Sequence, residues 1–590
     1  MHFFKKTGKI SWCVDLLTLT LAFSLVFGIL LGSRSLSTPD EARYAEIPRE
    51  MLTLHDFVTP HLNGVKYFEK PPLFYWLQAI AIKLTYPAIS ENTTPQFAEK
   101  EPRLAQPMIS EWVVRMPNAL LALLGCLLLY VTGRLVFDRR AALWGAGILG
   151  TSFMYFVFAR MVTLDMCLTA LLSAALLTYL VAVFYPIGRW RRYFFYVAYS
   201  CSALAVLTKG LIGIIFPVVI VGVWMLLTKQ WYLLRHSYLS TGCLLFLAIV
   251  LPWHLWVQQV NPEFFHFYFI EQHFLRYATT IAHRYQPGWF FVPFLLIGFL
   301  PWTLFLGQAL AFNLSKYADR LARNKSLFLV VWIVFITGFF SFSQSKLIPY
   351  VLPVFPPMAL LTGNYLSHNT RLRSTGVGWG IVLLPITWLC LGVVGWLALN
   401  RLPALASVSK PGSYFLALGC GVLLLSGIAA NLCYWTRRVV MAFVLLGLGS
   451  VTAYLIFFTA IPRLNTASVK PLVLSVQALS KGGEKVVCYD KYYQDLPFYL
   501  NHCVLTAKIT DELSFGMRHQ ATQAWMLDEA SFWRLWRSPE RVFVIMRRSV
   551  YEDLRLKRNG SFYLVATTPD SVLVSNYLSP HVSSGLMSKG

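Results

Sequence analysis

The sequence predicts a polytopic α-helical membrane protein with roughly thirteen transmembrane helices, outer juxtamembrane helices and a small C-terminal α/β domain. Three observations lead to this fold class. Of the 590 residues, 56% are hydrophobic and only 13% are charged, which a soluble globule with a polar shell does not tolerate. Apolar runs of about 16 to 22 residues recur along the chain, each long enough to cross a bilayer. After about Pro462 the composition becomes polar.

The apolar runs give the predicted spans in chain order. The first follows three lysines as a signal peptide would, but it is long enough to span and lacks a small-x-small cleavage site, so we predict a retained helix. The predicted spans are 12–33, 112–133, 141–158, 165–185, 193–208, 210–228, 239–257, 289–307, 327–343, 351–366, 377–398, 414–433 and 440–460.

The loops between these spans alternate in positive charge. One side carries clusters such as Arg139/Arg140, Arg189/Arg191/Arg192 and Arg437/Arg438, and the short loops of the other side carry isolated basic residues. Since basic loops stay in the cytoplasm, the N-terminus is predicted inside and the C-terminus in the periplasm of a bacterial inner membrane. The net charge of +24 is thereby explained by topology, and nucleic acid is not a predicted partner.

Two long segments, 34–111 and 258–288, then fall on the outer side. Residues 71–87 of the first are aromatic-rich but interrupted by Gln78 and Lys83, which predicts a helix in the membrane interface. We therefore predict a transmembrane domain at 1–461 that includes loop 34–111, and an outer α/β domain at 462–590. In the α/β domain, strands are predicted at 485–489, 542–546 and 562–566, and a helix at 522–537.

Ten cysteines occur without a Cys-x-x-Cys pair, which argues against a metal finger. Eight lie in or beside apolar segments, where a thiol acts as a small hydrophobe. Cys488 and Cys503 lie in the polar C-terminal region, and they are candidates for a disulfide if that region faces an oxidising compartment.

An acidic pair follows the first predicted span, in the run Thr38-Pro39-Asp40-Glu41-Ala42-Arg43. Thr38 is predicted to cap a helix opened by Pro39, with the carboxylates in the first turn. On a purely structural interpretation, Asp40 and Glu41 only stabilise the start of this helix. Their position directly after a membrane span favours a catalytic role instead.

A second cluster is Tyr67-Phe68-Glu69-Lys70, followed by two prolines that hold the chain extended. An exposed ion pair between Glu69 and Lys70 contributes little to stability. Glu69 as a ligand of a divalent cation, zinc or magnesium, and Lys70 as a phosphate contact better explain this pair at headgroup depth.

Other candidates lie at the outer ends of spans and in the second outer segment. Arg160, Asp165 and Lys346 either anchor their spans or line an outer cavity. His273 with Arg276 is predicted as a metal ligand beside a phosphate contact.

The predicted spans are nearly free of ionisable residues at mid-depth, which argues against an ion-coupled transporter. A lipid or solute transporter remains the alternative from another functional class. The sequence has no phosphate-binding loop and no glycine-rich dinucleotide motif, so soluble nucleotide donors are not indicated.

Seven motifs resemble those of the bacterial lipid A 4-amino-4-deoxy-L-arabinose transferases, which are C-type glycosyltransferases related to the protein O-mannosyltransferases. They are T-P-D-E-A-R-Y at 38–44, Y-F-E-K-P-P-L at 67–73, A-R-M-V-T-L-D at 159–165, L-T-K-G at 207–210, H-F-L-R-Y at 273–277, S-K-L-I-P-Y at 345–350 and Y-Y-Q-D-L-P-F-Y-L at 492–500. The resemblance implies thirteen helices, a periplasmic α/β tail, and transfer of an amino sugar from undecaprenyl phosphate to a lipid A phosphate.

The resemblance also implies roles for individual residues. Asp40 matches the essential acidic residue, and Asp165 and Glu69 are further catalytic candidates. Glu69 and His273 are the candidate metal ligands, although Gln272 stands where the family usually has Glu before the histidine. The implied substrate contacts are Arg43, Tyr67, Lys70, Lys209, Arg276 and Tyr350.

In this interpretation the cationic side chains stabilise the phosphate that leaves as the glycosidic bond breaks. An ionised phosphate acceptor needs no general base, so Asp40 orients a substrate or balances positive charge on the sugar. A protein or glycan hydroxyl is the alternative acceptor, and there Asp40 serves as the base. The predicted partners are thus a polyprenyl-phosphate-linked sugar, a lipid A or other glycolipid acceptor, and the bilayer.

Overall fold

The computed structural model describes residues 6–87, 108–279, 284–315, 319–372, 375–401, 409–464, 467–480, 482–509, 512–557 and 562–577. The chain divides into two compact units. A helical unit comprises Met1–Leu31 and Arg115–Ile461, and an α/β unit comprises Gly32–Val114 and Pro462–Gly590. The early segment thus groups with the C-terminal region, whereas the sequence placed the domain boundary at 461 alone.

Helices make up most of the described residues of the helical unit. One of them, α4, begins at Glu111 within the α/β unit and continues into the helical unit. They are α1 (Lys6–Gly28), α4 (Glu111–Val136), α5 (Arg139–Thr151), α6 (Phe153–Ala159), α7 (Leu164–Phe184), α8 (Arg189–Lys209), α9 (Ile212–Thr228), α10 (Leu233–His236), α11 (Leu239–Val260), α12 (Arg276–Ala278), α13 (Phe291–Gly298), α14 (Leu306–Asn313), α15 (Arg320–Phe342), α16 (Phe355–Leu372), α17 (Thr375–Arg401), α18 (Ser409–Trp435) and α19 (Val439–Leu464). Between them lie a π-helix at His266–Leu275 and 3₁₀ turns at Gly288–Phe290, Trp302–Phe305 and Ile348–Val354.

Among the described residues, eight helices are long and apolar enough to cross a membrane, or up to ten if two bent helix pairs count as single spans. Every predicted span coincides with helical structure, and the multi-pass fold is confirmed. The count of thirteen stays a prediction, since α8, α9 and α16 fall outside this length-and-composition test.

Two spans predicted as straight are bent. α5 and α6 meet at 65° at Ser152, whose hydroxyl donates to the Ile148 carbonyl at 2.6 Å and whose backbone leaves the helical conformation. The predicted span 289–307 turns by 102° around Pro301, because proline has no N–H to continue the helix.

Close helix packing in the helical unit depends on small residues. A Cβ on Gly363 of α16 would lie 2.5 Å from the backbone nitrogen of Gly145 on α5, so only glycine allows these backbones to approach. Large aromatic side chains such as Trp224, Trp332 and Tyr155 are fully buried in the helical unit.

The α/β unit contains α2 (Asp40–Leu54), α3 (Leu73–Thr85), α20 (Lys470–Leu479), α21 (Asp495–Leu500), α22 (Ser514–His519), α23 (Glu529–Trp536) and α24 (Arg548–Lys557). Its strands are β1 (His61–Leu62), β2 (Val65–Lys66), β3 (Lys485–Tyr489), β4 (Leu505–Ala507), β5 (Met526–Leu527), β6 (Val542–Arg547), β7 (Tyr563–Thr567) and β8 (Ser571–Ser575). The predicted C-terminal α/β fold and the helix near 71–87 are both present in these elements.

The main sheet has six strands in the order β5-β4-β3-β6-β8-β7. β3 pairs in parallel with β4 and β6, and β8 pairs antiparallel with both β6 and β7. Its core strands are almost wholly buried, as continuous apolar runs predict. The predicted helix 522–537 is wrong in its first half: β5 lies there, and the helix starts only after Asp528, whose carboxylate accepts from the Ser531 N–H at 2.8 Å.

A short hairpin joins the early segment to the C-terminal region of this unit. β1 and β2 pair around Asn63-Gly64, both with positive φ, a turn for which Asn-Gly is the preferred dipeptide. Asn63 donates its side-chain amide to the Val504 carbonyl at 3.0 Å and accepts from the Val504 N–H at 2.8 Å. The hairpin therefore fixes the segment that leads to Tyr67.

Candidate functional site

The acidic pair begins helix α2, as predicted, but the two carboxylates differ in environment. Asp40 is the first helical residue and its side chain is 54% exposed, whereas Glu41 is fully buried. Glu41 binds Arg34 and accepts from the Ser37 N–H at 2.9 Å. Glu41 is therefore a structural residue, and Asp40 is the member of the pair available to a substrate.

The prediction that Thr38 caps α2 is wrong. The residue before the helix is Pro39, and no side chain caps the start. Instead, the Glu41 N–H donates to the Ser37 carbonyl at 3.0 Å, and the Glu41 carboxylate returns to Ser37. This local loop satisfies the first backbone donors without Thr38.

Arg43 is the centre of the charged group in the α/β unit. Its Nη1 lies 3.3 Å from Asp40 Oδ1, and its Nη2 forms a close ion pair with Glu512 Oε2. The guanidinium carbon lies 5.9 Å from the centre of the Tyr67 ring. With a side chain only 8% exposed, Arg43 is a shielded cation between two carboxylates and an aromatic ring.

Tyr67 and Glu69 complete this group. Burial raises the pKa of Tyr67 well above its ordinary value, so its phenol stays protonated and is a hydrogen-bond donor. Its hydroxyl is buried and has no protein partner among the described residues. Glu69 lies near enough to affect the ionisation of both Arg43 and Tyr67, and Lys70 follows it half-buried. A buried donor without a partner suits a substrate oxygen.

The helical unit brings three other predicted residues together. Lys209, at the end of α8, forms a close ion pair with Asp165, in the first turn of α7. The Lys209 ammonium lies 4.5 Å from the centre of the Tyr350 ring. The Asp165 and Lys209 side chains are 13% and 11% exposed, so the pair is shielded without being sealed.

His273 joins the same region through Gly210. Its Nδ1 lies 2.7 Å from the Tyr268 carbonyl oxygen, the i to i−5 relation of the π-helix that holds both residues. Gly210 has a φ of +82°, and a Cβ there would lie 2.1 Å from His273 Nε2 and 2.6 Å from the Tyr268 hydroxyl. Only glycine permits these two polar atoms to approach the residue after Lys209.

Other residues from the motifs have local partners. Arg276 donates to Gln272 Oε1 at 2.8 Å, and Glu271 lies 3.4 Å from His266. Arg160 is buried and donates to the carbonyls at the end of α1, including Phe27 O at 3.0 Å. Lys346 is also buried and donates to the Gln286 carbonyl at 2.8 Å. Arg160 and Lys346 thus serve as anchors for backbone carbonyls.

Within the described residues, no group of three or more His, Cys, Asp or Glu side chains is placed to hold a metal ion. Glu69 belongs to the α/β unit, and His273 belongs to the helical unit. We therefore derive no reaction step through a metal, and the metal stays a prediction. The structure records Cys488 and Cys503 as free thiols.

Sequence reasoning missed Glu512 and Tyr268. Glu512 is the closest partner of Arg43, yet it lies far along the chain in a segment without a motif. The Tyr268 hydroxyl is buried without a protein partner among the described residues, but its sequence context is one of many aromatics. Only Gly210, within L-T-K-G, carried a local signal, because a glycine after a cationic residue at a helix end indicates a positive φ.

Two family profiles match the chain. Residues 106–256 match "Dolichyl-phosphate-mannose-protein mannosyltransferase", and residues 472–576 match "Aminoarabinose transferase C-terminal domain". The first match covers α4 to α10 and reaches into α11, and the second covers the main sheet.

Among curated proteins, the chain is 30% identical over 362 residues to an undecaprenyl phosphate-alpha-4-amino-4-deoxy-L-arabinose arabinosyl transferase of Enterobacter sp. (strain 638), covering 61% of this chain and 60% of that protein. A relative with the same activity name in Sodalis glossinidius is 32% identical over 343 residues, 58% of each chain. The matched region thus spans about three fifths of these relatives' length.

Among solved structures, ArnT from Cupriavidus metallidurans bound to undecaprenyl phosphate is 28% identical, with a TM-score of 0.83, covering 96% of this chain and 98% of that one. The likeness in fold therefore extends over nearly the whole chain.

Proposed function

We propose that the chain belongs with the undecaprenyl phosphate-aminoarabinose arabinosyltransferases that it resembles, and that it moves a sugar from undecaprenyl phosphate to lipid A. The sugar is 4-amino-4-deoxy-L-arabinose, and the acceptor is a lipid A phosphate. The observation that carries the proposal is the likeness, along nearly the whole chain, to ArnT holding undecaprenyl phosphate. The shielded Arg43 beside the exposed Asp40 supplies the matching chemistry.

The donor end of the reaction needs groups that stabilise a leaving phosphate. As the bond between the sugar and the phosphate breaks, negative charge develops on the phosphate oxygens. Arg43 and Lys70 of the α/β unit are cations able to receive that charge, and the Tyr67 hydroxyl, which has no protein partner among the described residues, donates a hydrogen bond. Such donors act strongly where water is excluded, as the burial of Arg43 and Tyr67 provides.

Asp40 acts on the sugar ring and not on the leaving phosphate. A lipid A phosphate is already ionised and attacks the sugar without losing a proton. Asp40 then balances positive charge that develops on the sugar ring, and its partly exposed carboxylate is free to face that ring. Asp165 is assigned a second role, which is to hold the Lys209 ammonium in place beside the Tyr350 ring.

We retain a divalent cation, zinc or magnesium, as a part of the proposal, with Glu69 of the α/β unit and His273 of the helical unit as separate candidate ligands. His273 Nδ1 lies 2.7 Å from the Tyr268 carbonyl oxygen, and in the tautomer that carries its proton on Nδ1 the lone pair that a metal requires is on Nε2. Transfer should then fall after chelation and return with one added metal. An enzyme that keeps its full rate after dialysis against a chelator would remove the metal from the proposal.

The proposed location is the bacterial inner membrane, with the N-terminus cytoplasmic and the α/β unit periplasmic. The charge alternation of the loops supports this orientation.

Mass spectrometry of lipid A from cells with and without the gene tests sugar and acceptor together. The added mass of an aminopentose on a lipid A phosphate is the expected result. Expression should also increase resistance to cationic peptides such as polymyxin, because an amino sugar masks phosphate charge. Unchanged lipid A in cells that hold abundant protein would contradict the proposal.

Transfer to a protein hydroxyl is the second candidate, and the match of residues 106–256 to a protein mannosyltransferase profile favours it. In that reaction Asp40 takes the acceptor proton. An expression-dependent change in a glycoprotein, with lipid A unchanged, would establish this candidate in place of the first.

A further inference from the structure

Arg43 has two carboxylate partners, and they hold it unequally. Glu512 is in close contact with Nη2, and its side chain is 12% exposed. Asp40 lies 3.3 Å from Nη1, and its side chain is 54% exposed. Because Coulomb attraction is stronger at short distance and away from water, Glu512 is the main counter-charge of Arg43.

Glu512 is itself held in place by the C-terminal region. Gln494, which is 8% exposed, donates its side-chain amide to Glu512 Oε1 at 2.7 Å. Gln494 belongs to the Y-Y-Q-D-L-P-F-Y-L motif, for which the proposed function has no use so far. One carboxylate oxygen of Glu512 thus binds Gln494, and the other binds Arg43.

The pairing has a consequence for Asp40. An arginine has one positive charge, and here Glu512 neutralises most of it. The carboxylate of Asp40 consequently keeps its own negative charge available to a substrate, although it lies one helical turn from Arg43. Without Glu512, the guanidinium would be free to turn fully toward Asp40 in a bidentate pair.

We propose that Glu512 and Gln494 are positioning residues of the transfer site, which hold Arg43 beside Tyr67 and limit its pairing with Asp40 to the single long contact at 3.3 Å. This inference rests on the proposed function. It extends that function by assigning a part of the site to the C-terminal region of the chain, through side chains that touch neither substrate.

The test is a double-mutant cycle on the full-length protein. Glu512→Gln should lower kcat by about tenfold or more, because Arg43 then pairs with Asp40, while KM for the undecaprenyl-phosphate sugar changes less. Glu512→Asp keeps the charge and should recover part of the rate. In an Arg43→Met background, where there is no guanidinium to position, Glu512→Gln should change the rate less than about twofold.

Equal losses from Glu512→Gln in both backgrounds would overturn the proposal, as would a wild-type rate in the single variant. A wild-type protein that transfers no sugar would contradict the proposed function instead, so the two failures are distinct. Glu529→Gln is the matched control, since Glu529 is an exposed carboxylate of the same region and should leave the rate unchanged.

Gln494→Met provides a second route if Glu512→Gln lowers the amount of folded protein. It removes the amide that orients Glu512 and leaves every charge in place. A smaller fall in kcat that disappears in the Arg43→Met background supports the positioning role. A fall that persists there would show a purely structural effect and overturn it.

Discussion

Asp40 and Arg43 show how much a single helical turn can change the environment of a residue. Arg43 is shielded and bound on both sides, while most of the Asp40 carboxylate meets solvent. The charge of Asp40 therefore contributes little to folding, and its removal should act on the reaction.

Asp40→Asn is expected to keep normal membrane abundance, since its one recorded ion pair is long and exposed and should cost under about 1 kcal/mol. Transfer should fall roughly a hundredfold or more, because a nearby negative charge stabilises a cationic transition state by several kcal/mol. The measurements are membrane abundance and initial transfer rate.

Asp553→Asn is the matched control, because Asp553 is exposed on α24 and has no assigned role. Glu41→Gln is unsuitable, since Glu41 is the buried partner of Arg34. Wild-type turnover in Asp40→Asn would mean that the catalytic role belongs to another carboxylate, with Glu69 the leading candidate.

Gly210→Ala is expected to disrupt the region beside Lys209. The new Cβ would overlap His273 Nε2 and the Tyr268 hydroxyl, and the positive φ would add strain of about 1 to 3 kcal/mol. Transfer and the thermal midpoint should both fall. Gly222→Ala on α9 is the control, because nothing lies within 4 Å of its added Cβ. Equal behaviour of the two variants would contradict the tight approach at Gly210.

For single residues, the sequence motifs identified the site candidates but not the side chains that contact them. Asp165, Lys209 and Tyr350 were each predicted, and the structure brings them together. Glu512 and Tyr268 were missed because a distant ion pair and a buried hydroxyl leave no local pattern. For Arg160 and Lys346 the sequence left an anchor and a cavity-lining role open, and in the structure both bind backbone carbonyls.

The second half of helix α2 buries two glutamates, Glu46 and Glu50, with one arginine, Arg49. Glu46 binds Arg49 at 2.7 and 2.5 Å, while Glu50, equally buried, accepts from the N–H groups of Asn63 and Gly64. Burial raises the pKa of Glu50 to about 8, and the negative charge of Glu46 adds to the effect. The folded protein therefore keeps a proton on Glu50 where the unfolded chain, with an ordinary glutamate, has lost it.

Because the folded state binds this extra proton, stability should decrease as pH rises from the ordinary glutamate pKa to about 8, by up to about 1.4 kcal/mol per pH unit. Asp495, with a pKa raised by burial to about 6, contributes in the same direction at lower pH. Burial lowers the pKa of His61, which acts in the opposite direction near pH 6.5, so the upper part of the range from pH 6.5 to 8 reports mainly on Glu50. The thermal midpoint should fall across it.

Glu50→Gln, which has no proton to lose, should show a flatter profile over the same range. A wild-type midpoint that stays constant or rises with pH would contradict the protonated Glu50.

Elements were predicted well where hydrophobic length decides them and poorly where backbone geometry does. The long helices and the strands near 485 and 542 were placed closely. The bends at Ser152 and Pro301 were missed because a hydropathy pattern averages over single residues. The strand at Met526–Leu527 was missed because two residues show no periodicity.

For the whole molecule, the orientation in the membrane is the property that charge alone predicts. A reporter active only in the periplasm, fused after Gly590, should be active, and a cytoplasm-only reporter at the same position should be silent. A fusion in the basic loop near Arg139 and Arg140 should give the opposite pattern. Cytoplasmic activity after Gly590 would require an even number of spans and would reject the proposed side of the α/β unit.

The α/β unit is formed by two segments that are far apart in the sequence, and this sets the order in which it can fold during synthesis. Residues 32–114 leave the ribosome long before their partners at 462–590, with Arg115–Ile461 synthesised in between. At bacterial elongation rates that interval is on the order of tens of seconds. Throughout it, Arg49 and Asn63 lack their C-terminal backbone partners, which are the Asn501 carbonyl and the Val504 peptide groups. A nascent chain released before Pro462 should consequently be a substrate for quality-control proteases, even with every span inserted.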